Sequence, residues 1–359
     1  MKIFNLDCHV SVIADLKKIF KDLGHDVTSW SISSANWIFG NQVANVDIIN
    51  QDILSNGKPR WWSLDKKMAD DFYERYKDEL SEYDAFLCTY PPAFSLIYEK
   101  FKKPIIIQVP IRYEVPFQTN SEKWNYFNEY LRDGIDNGMI IPVANSEYDK
   151  RYFEFFVQRD CKLIPNICEY TNSKYNPTKS QFLYSGRLPI KFDTNFIIDK
   201  SSLGRFEWSD IYSYKGIIIL PYNCSTMSIF EYYTANFPIF CPSYNLMLDL
   251  FSKYPGHVLS EISWNPITGM KPGSLIECDI NNDPNRYDNL EIMSNWIKYS
   301  DFYNQEWMPH IIYFDSFDEL SLQLKETNLQ EVSKNMEEFN LVRKDKIYSE
   351  WGNILNNIK

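Results

Sequence analysis

Glycine is scarce in this chain, 12 in 359 residues, and no Gly-x-Gly-x-x-Gly follows its first apolar run. A glycine-rich dinucleotide cradle needs those residues so that backbone can approach a pyrophosphate, and is therefore excluded. No Gly-x-Ser-x-Gly occurs, so there is no nucleophile elbow of the serine-hydrolase type. The seven cysteines form no Cys-x-x-Cys pair and the four histidines are scattered, so zinc spacing is missing and neither metal nor cofactor is expected. Runs of Lys and Arg never exceed a pair and the net charge is −11, which argues against a nucleic-acid partner. The segment Met1-Lys-Ile-Phe-Asn-Leu-Asp7 lacks the roughly 7–15-residue apolar core of a secretory signal, and nothing approaches the about 18 apolar residues of a membrane span. The expectation is a soluble, cytoplasmic protein with reduced thiols.

What is present is a globular composition, 44% hydrophobic and 24% charged, at a length suited to two domains. Aromatic residues reach 16%, a proportion read first as core filling and second as sugar-stacking surface. Short apolar runs at Lys2–Leu6, Asp84–Thr89, Pro104–Val109 and Met139–Ala144 look like buried parallel strands. Helical spacing runs over Val10–Leu23, with Gly24 as its stop, over Pro92–Phe101, and over Ser146–Phe156 with Asp149 and Lys150 on the exposed side. Glu169–Ser180 is polar and nearly free of aliphatic residues. The predicted organisation is a first α/β domain over 1–170, a linker over 171–180, a second α/β domain over 181–335 and a C-terminal helix over 336–359.

The segment with most chemical content is Pro221-Tyr-Asn-Cys-Ser225-Thr-Met-Ser228-Ile-Phe-Glu231. A strand, Gly216–Leu220, precedes it and Phe237-Pro-Ile-Phe-Cys241 follows, so it reads as a βαβ unit with a helix opening at the Ser/Thr cluster. Unpaired N–H groups and the helix dipole at such a start favour an anion, for which Ser225, Thr226, Met227 and Ser228 supply the backbone. Glu231, about one turn on, is placed to accept from a ribose. Strand ends in the first half offer a second set: His9, Tyr90, Arg112, Glu114, Asn145 and Ser146. His25 reads as structural, and His257 and His310 receive no role.

Taken in order, Asp7-Cys-His9, Leu23-Gly-His25-Asp-Val27, Ile164-Pro-Asn166, Ser185-Gly-Arg187-Leu188 and the Pro221–Ser243 stretch with Glu231 resemble the GT-B fold glycosyltransferases. The resemblance implies two Rossmann-like, doubly wound α/β domains facing a cleft, with a C-terminal helical segment. It implies that Arg187, Asn223, Ser225, Thr226, Met227, Ser228 and Glu231 bind a nucleotide-diphosphate-sugar donor. By position, His9 matches the base of inverting members, and the first-half strand ends would hold a glycan or small-molecule acceptor. Retaining members carry an acidic residue eight positions before the ribose-binding Glu, where this chain has Asn223, and a Lys further from the Arg than Lys191. Inversion is therefore favoured. The absence of any Asp-x-Asp implies metal independence. The alternatives are a nucleotide-sugar-binding module without turnover and a nucleotide-sugar epimerase of the same architecture.

Overall fold

The structure is a computed structural model that describes residues 1–110, 112–190, 193, 195–264 and 276–358. Lys191 lies outside the described residues. The chain forms two compact units, one built mainly from Met1–Asn166 and Ile347–Lys359, the other from Ile167–Ser274 and Cys278–Lys346.

The first unit has six strands: β1 (Lys2–Asp7), β2 (Asp26–Ser31), β3 (Ala85–Cys88), β4 (Ile105–Val109), β5 (Ile140–Ala144) and β6 (Lys162–Leu163). They form one sheet in the order β2-β1-β3-β4-β5-β6, and every pairing is parallel. Strands β3 and β4 are buried along their whole length, which is why they read as unbroken apolar runs. The helices are α1 (Val10–Asp22), α2 (Lys66–Leu80), α3 (Ser121–Asp136) and α4 (Glu147–Val157). Helix α1 buries Val12, Ile13, Leu16, Ile19 and Phe20 on one face and stops where Gly24 turns left-handed at φ +84°. Pro92–Phe101 forms 3-10 turns.

The aromatic residues fill this core. Phe86 stacks on Tyr98 at 4.2 Å between centroids, and Phe4 meets Trp30 edge-on at 4.8 Å. A buried polar knot ties the unit together. Asn166 donates to Asp15 on α1 at 2.8 Å, and its carbonyl accepts from Asn145 at 2.9 Å and Gln108 at 3.5 Å.

The second unit repeats the plan with β7 (Phe182–Gly186), β8 (Ile197–Asp199), β9 (Ile217–Leu220), β10 (Ile239–Pro242) and β11 (Ile312–Phe314). Its parallel order, β11-β10-β9-β7-β8, is the order of the first sheet without a sixth strand. The helices are α5 (Trp208–Ile211), α6 (Met227–Thr234), α7 (Tyr244–Lys253), α8 (Leu290–Ile297), α9 (Phe317–Glu326) and α10 (Leu329–Asn357). The polar stretch after Thr171 is held on this unit. Tyr175 N donates to Ala235 O, Asn176 N to Tyr212 O, and the Thr178 and Lys179 N–H groups to Ser213 O. Helix α10 fastens to the second unit through Asn340, which donates to Tyr233 O and to Asn236. Its last turns belong to the first unit, where Trp351 packs edge-on against Phe20 at 5.1 Å.

Close packing of α3 on β5 gives a sharp test. A Cβ built at Gly134 would lie 2.3 Å from Ile140 Cδ1 and 2.6 Å from Cγ1. Gly134→Ala gains helix propensity of about 1 kcal/mol, but overpacking costs ~1–3 kcal/mol and more where the neighbour is fixed. Ile140 is buried in the sheet, so net destabilisation is expected as a lower urea midpoint; a midpoint equal to or above wild type would contradict the packing.

Candidate functional site

In each sheet the chain leaves the first strand toward one side and the third toward the other. Crossovers of one hand put their helices on opposite faces, so the loops after these two strands diverge and leave a crevice at the strands' carboxyl ends. Two groups of side chains occupy these positions, one per unit.

In the first unit the loops are those after β1 and β3, joined by the Cys8 N–H to the Tyr90 carbonyl at 2.9 Å. That bond brings His9 beside Tyr90, ring centroids 5.9 Å apart and edge-on. His9 is the N-cap residue of α1, in extended conformation and without a side-chain cap bond, so its imidazole is not consumed by the helix. Its surface reaches water, yet the surrounding protein lowers its pKa and favours the neutral form. Asp7, two residues earlier, is completely buried and accepts from Ser31 Oγ (2.9 Å), Ser29 Oγ (3.1 Å) and His9 N (3.0 Å). Burial pushes its carboxyl up to about 7 against those three hydrogen bonds.

The remaining first-half candidates are turned inward. Ser146 caps α4, accepting from Asp149 N at 2.9 Å and donating to Asp149 Oδ2 at 2.6 Å. Asp149, expected on the exposed side of its helix, is 1% exposed. The cap draws it inward and the Arg112 charge faces it, while burial pushes its pKa up to about 7. Glu114 accepts from Tyr152 Oη at 2.7 Å and is fully buried, as Arg112 nearly is. Arg112, Glu114 and Ser146 are thus assembled around Asp149 within the unit, and Asn145 joins the Asn166 knot. Neither group is presented as His9 and Tyr90 are.

In the second unit a pocket of about 200 Å³ opens between the ends of β7 and β9, lined by Arg187, Tyr222, Thr226, Ser228, Ile229 and Tyr232 among others. Gly186 allows this approach, since a Cβ there would lie 2.5 Å from Tyr184 Oη and 2.9 Å from Leu220 Cβ. Helix α6 begins at the pocket with Thr226 as N-cap, and no side chain caps it; Thr226 Oγ1 instead meets Ser228 Oγ at 3.3 Å. The usual reason for a Ser/Thr cluster at a helix start is therefore not realised here. Met227 is the first helical residue. In the loop leading in, Asn223 Nδ2 and Ser225 Oγ are buried without a hydrogen-bond partner among the described residues. Such groups carry a desolvation cost unless something else meets them.

Arg187 is held at the pocket. It pairs with Glu261 at 2.5 Å, donates to Ser260 Oγ at 3.0 Å and lies 4.4 Å over the Tyr222 ring. Glu231 behaves differently from the rest of the set. It is part-buried and accepts from Tyr170 Oη at 2.6 Å, and burial raises its pKa against that bond and the charge of Lys200. Lys200 stands at the end of β8, 5.4 Å from the Tyr232 ring. Tyr222, Ser260, Glu261 and Lys200 are additions to the sequence-derived set. Only Tyr222 lay inside the stretch singled out from sequence.

Among the described residues no group of three or more His, Cys, Asp or Glu side chains is arranged to hold a metal ion. None of their helices is long and apolar enough to cross a membrane. No protein-family model matches the chain, and no curated protein does. Among solved structures it is similar over 100% of both chains to the glycosyltransferase SnogD from Streptomyces nogalater, at 9% identity and a TM-score of 0.46. It is also similar to the glycotransferase of kitacinnamycin, at 9% identity, a TM-score of 0.41 and coverage of 95% of this chain and 94% of that one. A third is the spinosyn rhamnosyltransferase SpnG, at 9% identity, a TM-score of 0.37 and coverage of 94% and 95%.

The buried carboxyls predict a pH dependence. Asp7 and Asp149 hold their protons more tightly in the folded chain than at the ordinary value of 3.8. Their contribution is fully present below about pH 4 and is lost as pH rises through about 7. Asp7→Asn keeps the shape, and the Ser29 and Ser31 hydroxyls can turn to accept from the amide. The variant should match wild type near pH 4 and exceed it by ~1–3 kcal/mol at pH 8 in urea unfolding. A variant less stable than wild type at pH 8 would mean that the ionised carboxylate is fully satisfied by its three donors.

Proposed function

We propose that the chain is a GT-B-type glycosyltransferase that moves a sugar from a nucleoside-diphosphate donor to a hydroxyl of a glycan or small acceptor. The observation that carries the reading is the second unit's pocket, where Arg187 and the uncapped start of α6 stand together at the reversal point of the sheet. A leaving diphosphate gains negative charge as the glycosidic bond breaks, and fixed N–H groups with a guanidinium stabilise it most when already in place. Asn223 and Ser225 do not line the pocket; their Nδ2 and Oγ, without partners among the described residues, are buried in the loop that leads into it.

The first unit supplies the acceptor side of the reading. The acceptor oxygen attacks the anomeric carbon, the bond from that carbon to the diphosphate oxygen breaks, and the acceptor's proton passes to the His9 imidazole. A lowered pKa keeps that imidazole free to take it. A single displacement inverts the anomeric centre, and the reading requires no metal. Tyr90 offers a ring face beside His9 for an acceptor. Glu231 keeps acceptor capacity beyond its bond from Tyr170 Oη, and in this reading it accepts from a ribose hydroxyl.

Two measurements test this. UDP, GDP, dTDP and CMP, each with its sugars, are compared by thermal shift, because a ligand at 100 times its Kd adds about 2.7 kcal/mol. At least one should raise the melting temperature, and silence across the whole panel would remove the donor site. With the donor and an acceptor found, His9→Ala should lower kcat by about 10²–10⁴-fold with donor affinity unchanged. Unaltered turnover would remove His9 as the base, whereas conversion of the free donor without acceptor would indicate an epimerase.

A further inference from the structure

The Arg187 guanidinium is spoken for by a neighbour that is itself tethered to the pocket's rim. Leu259 N donates to Pro221 O and Glu261 N to Tyr222 O, both at 2.9 Å, so this segment runs bonded along the loop that follows β9. Leu259 takes a left-handed φ of +48° on the way. The tether sets Glu261 Oε1 2.5 Å from Arg187 Nη2 and Ser260 Oγ 3.0 Å from Nη1, with the Tyr222 ring against the guanidinium face at 4.4 Å. Both ionic side chains remain reachable by water, at 47% and 33% exposure. An ion pair so placed is weak and exchanges readily.

We propose that Glu261 is a built-in competitor that occupies Arg187 until a diphosphate displaces it, an inference that rests on the donor-site reading above. The carboxylate offers one negative charge shared over two oxygens. A diphosphate brings a larger charge and several acceptors and also meets the N–H groups at the start of α6, so it wins the guanidinium where a singly charged anion does not. With Arg187 released toward the ligand, Glu261 swings to solvent, and Tyr222 keeps the guanidinium plane oriented throughout. The pocket is thereby biased toward ligands that carry a diphosphate, and part of their binding free energy is consumed in breaking the pair.

The test is titration calorimetry with UDP, GDP and dTDP on wild type, Glu261→Gln, Glu261→Ala, Arg187→Ala and the Arg187→Ala/Glu261→Gln double variant. Removing the competitor should tighten the bound diphosphate about two- to fivefold, in line with the strength of exposed ion pairs. The gain should disappear when Arg187 is already absent, a coupling that general charge repulsion or a structural role would not produce. The alanine variant supplies the same readout should the glutamine substitution disturb the fold. Unchanged or weaker binding in Glu261→Gln and Glu261→Ala, or an equal gain with and without Arg187, overturns the proposal while leaving the donor site standing. Failure of wild type to bind any of the diphosphates removes the donor site and this inference with it.

Discussion

Everything chemically distinctive in this chain depends on one topological constraint, the reversal of winding direction between the first and third strands of each parallel sheet. A parallel strand must be followed by a crossover, and crossovers of one hand place successive helices on one face unless the chain reverses. Where it reverses, the two chains lead off to opposite sides while their loops still meet beside the strand ends, as the Cys8 N–H and the Tyr90 carbonyl do, and the side chains they carry border a crevice. The first unit places His9 and Tyr90 there, and the second places Arg187 and Thr226. The remaining strand ends lie away from the reversal. Their polar residues turn inward, as Asn145, Ser146, Arg112 and Glu114 do.

How much of this the sequence discloses follows from the range over which each signal acts. Strands β3, β4 and β9 are buried on both faces and appear as apolar runs, and α1 shows its period with a glycine stop, so the α/β class with two repeated halves is legible. Strands β8 and β11, at three residues each, are too short to carry a period and exist through pairing with distant neighbours. The pocket is legible on the side formed by one contiguous loop, Pro221–Ser228. It is illegible in what holds Arg187 at the pocket, because Ser260 and Glu261 arrive through backbone pairing from 38 and 39 residues downstream of Tyr222. Asp149 shows the limit of helical periodicity. Its position predicts exposure, but a serine three residues before it and an arginine from another loop draw it inside.

The two kinds of polar burial in the first unit are physically different. In the Asn166 knot the amide groups meet one another and Asp15 in geometry set by α1, β4 and β5. Asp7 instead accepts three hydrogen bonds and Asp149 Oδ2 accepts from Ser146, while Asp149 Oδ1 has no partner among the described residues; desolvation outweighs these donors and pushes each carboxyl up to about 7. Asp7 sits where its three hydrogen bonds lock the start of α1 to β2 and so fix the position of His9. The carboxyl is therefore tolerated for what it orients, with stability lost as the pH rises.

The chain carries 48 acidic against 37 basic side chains, so its long-range field opposes any anionic ligand. Salt at physiological strength screens that field beyond about 8 Å, which leaves local groups to decide the matter. Arg187 beside an uncapped helix start supplies local positive density within one small pocket. In so acidic a protein an exposed guanidinium will find a carboxylate. The carboxylate it finds is carried by a segment hydrogen-bonded to the same loop that opens the helix, so the cation is stored at its place of use rather than drawn away from it. A net negative protein can in this way keep a cationic pocket in position without leaving its guanidinium unpaired.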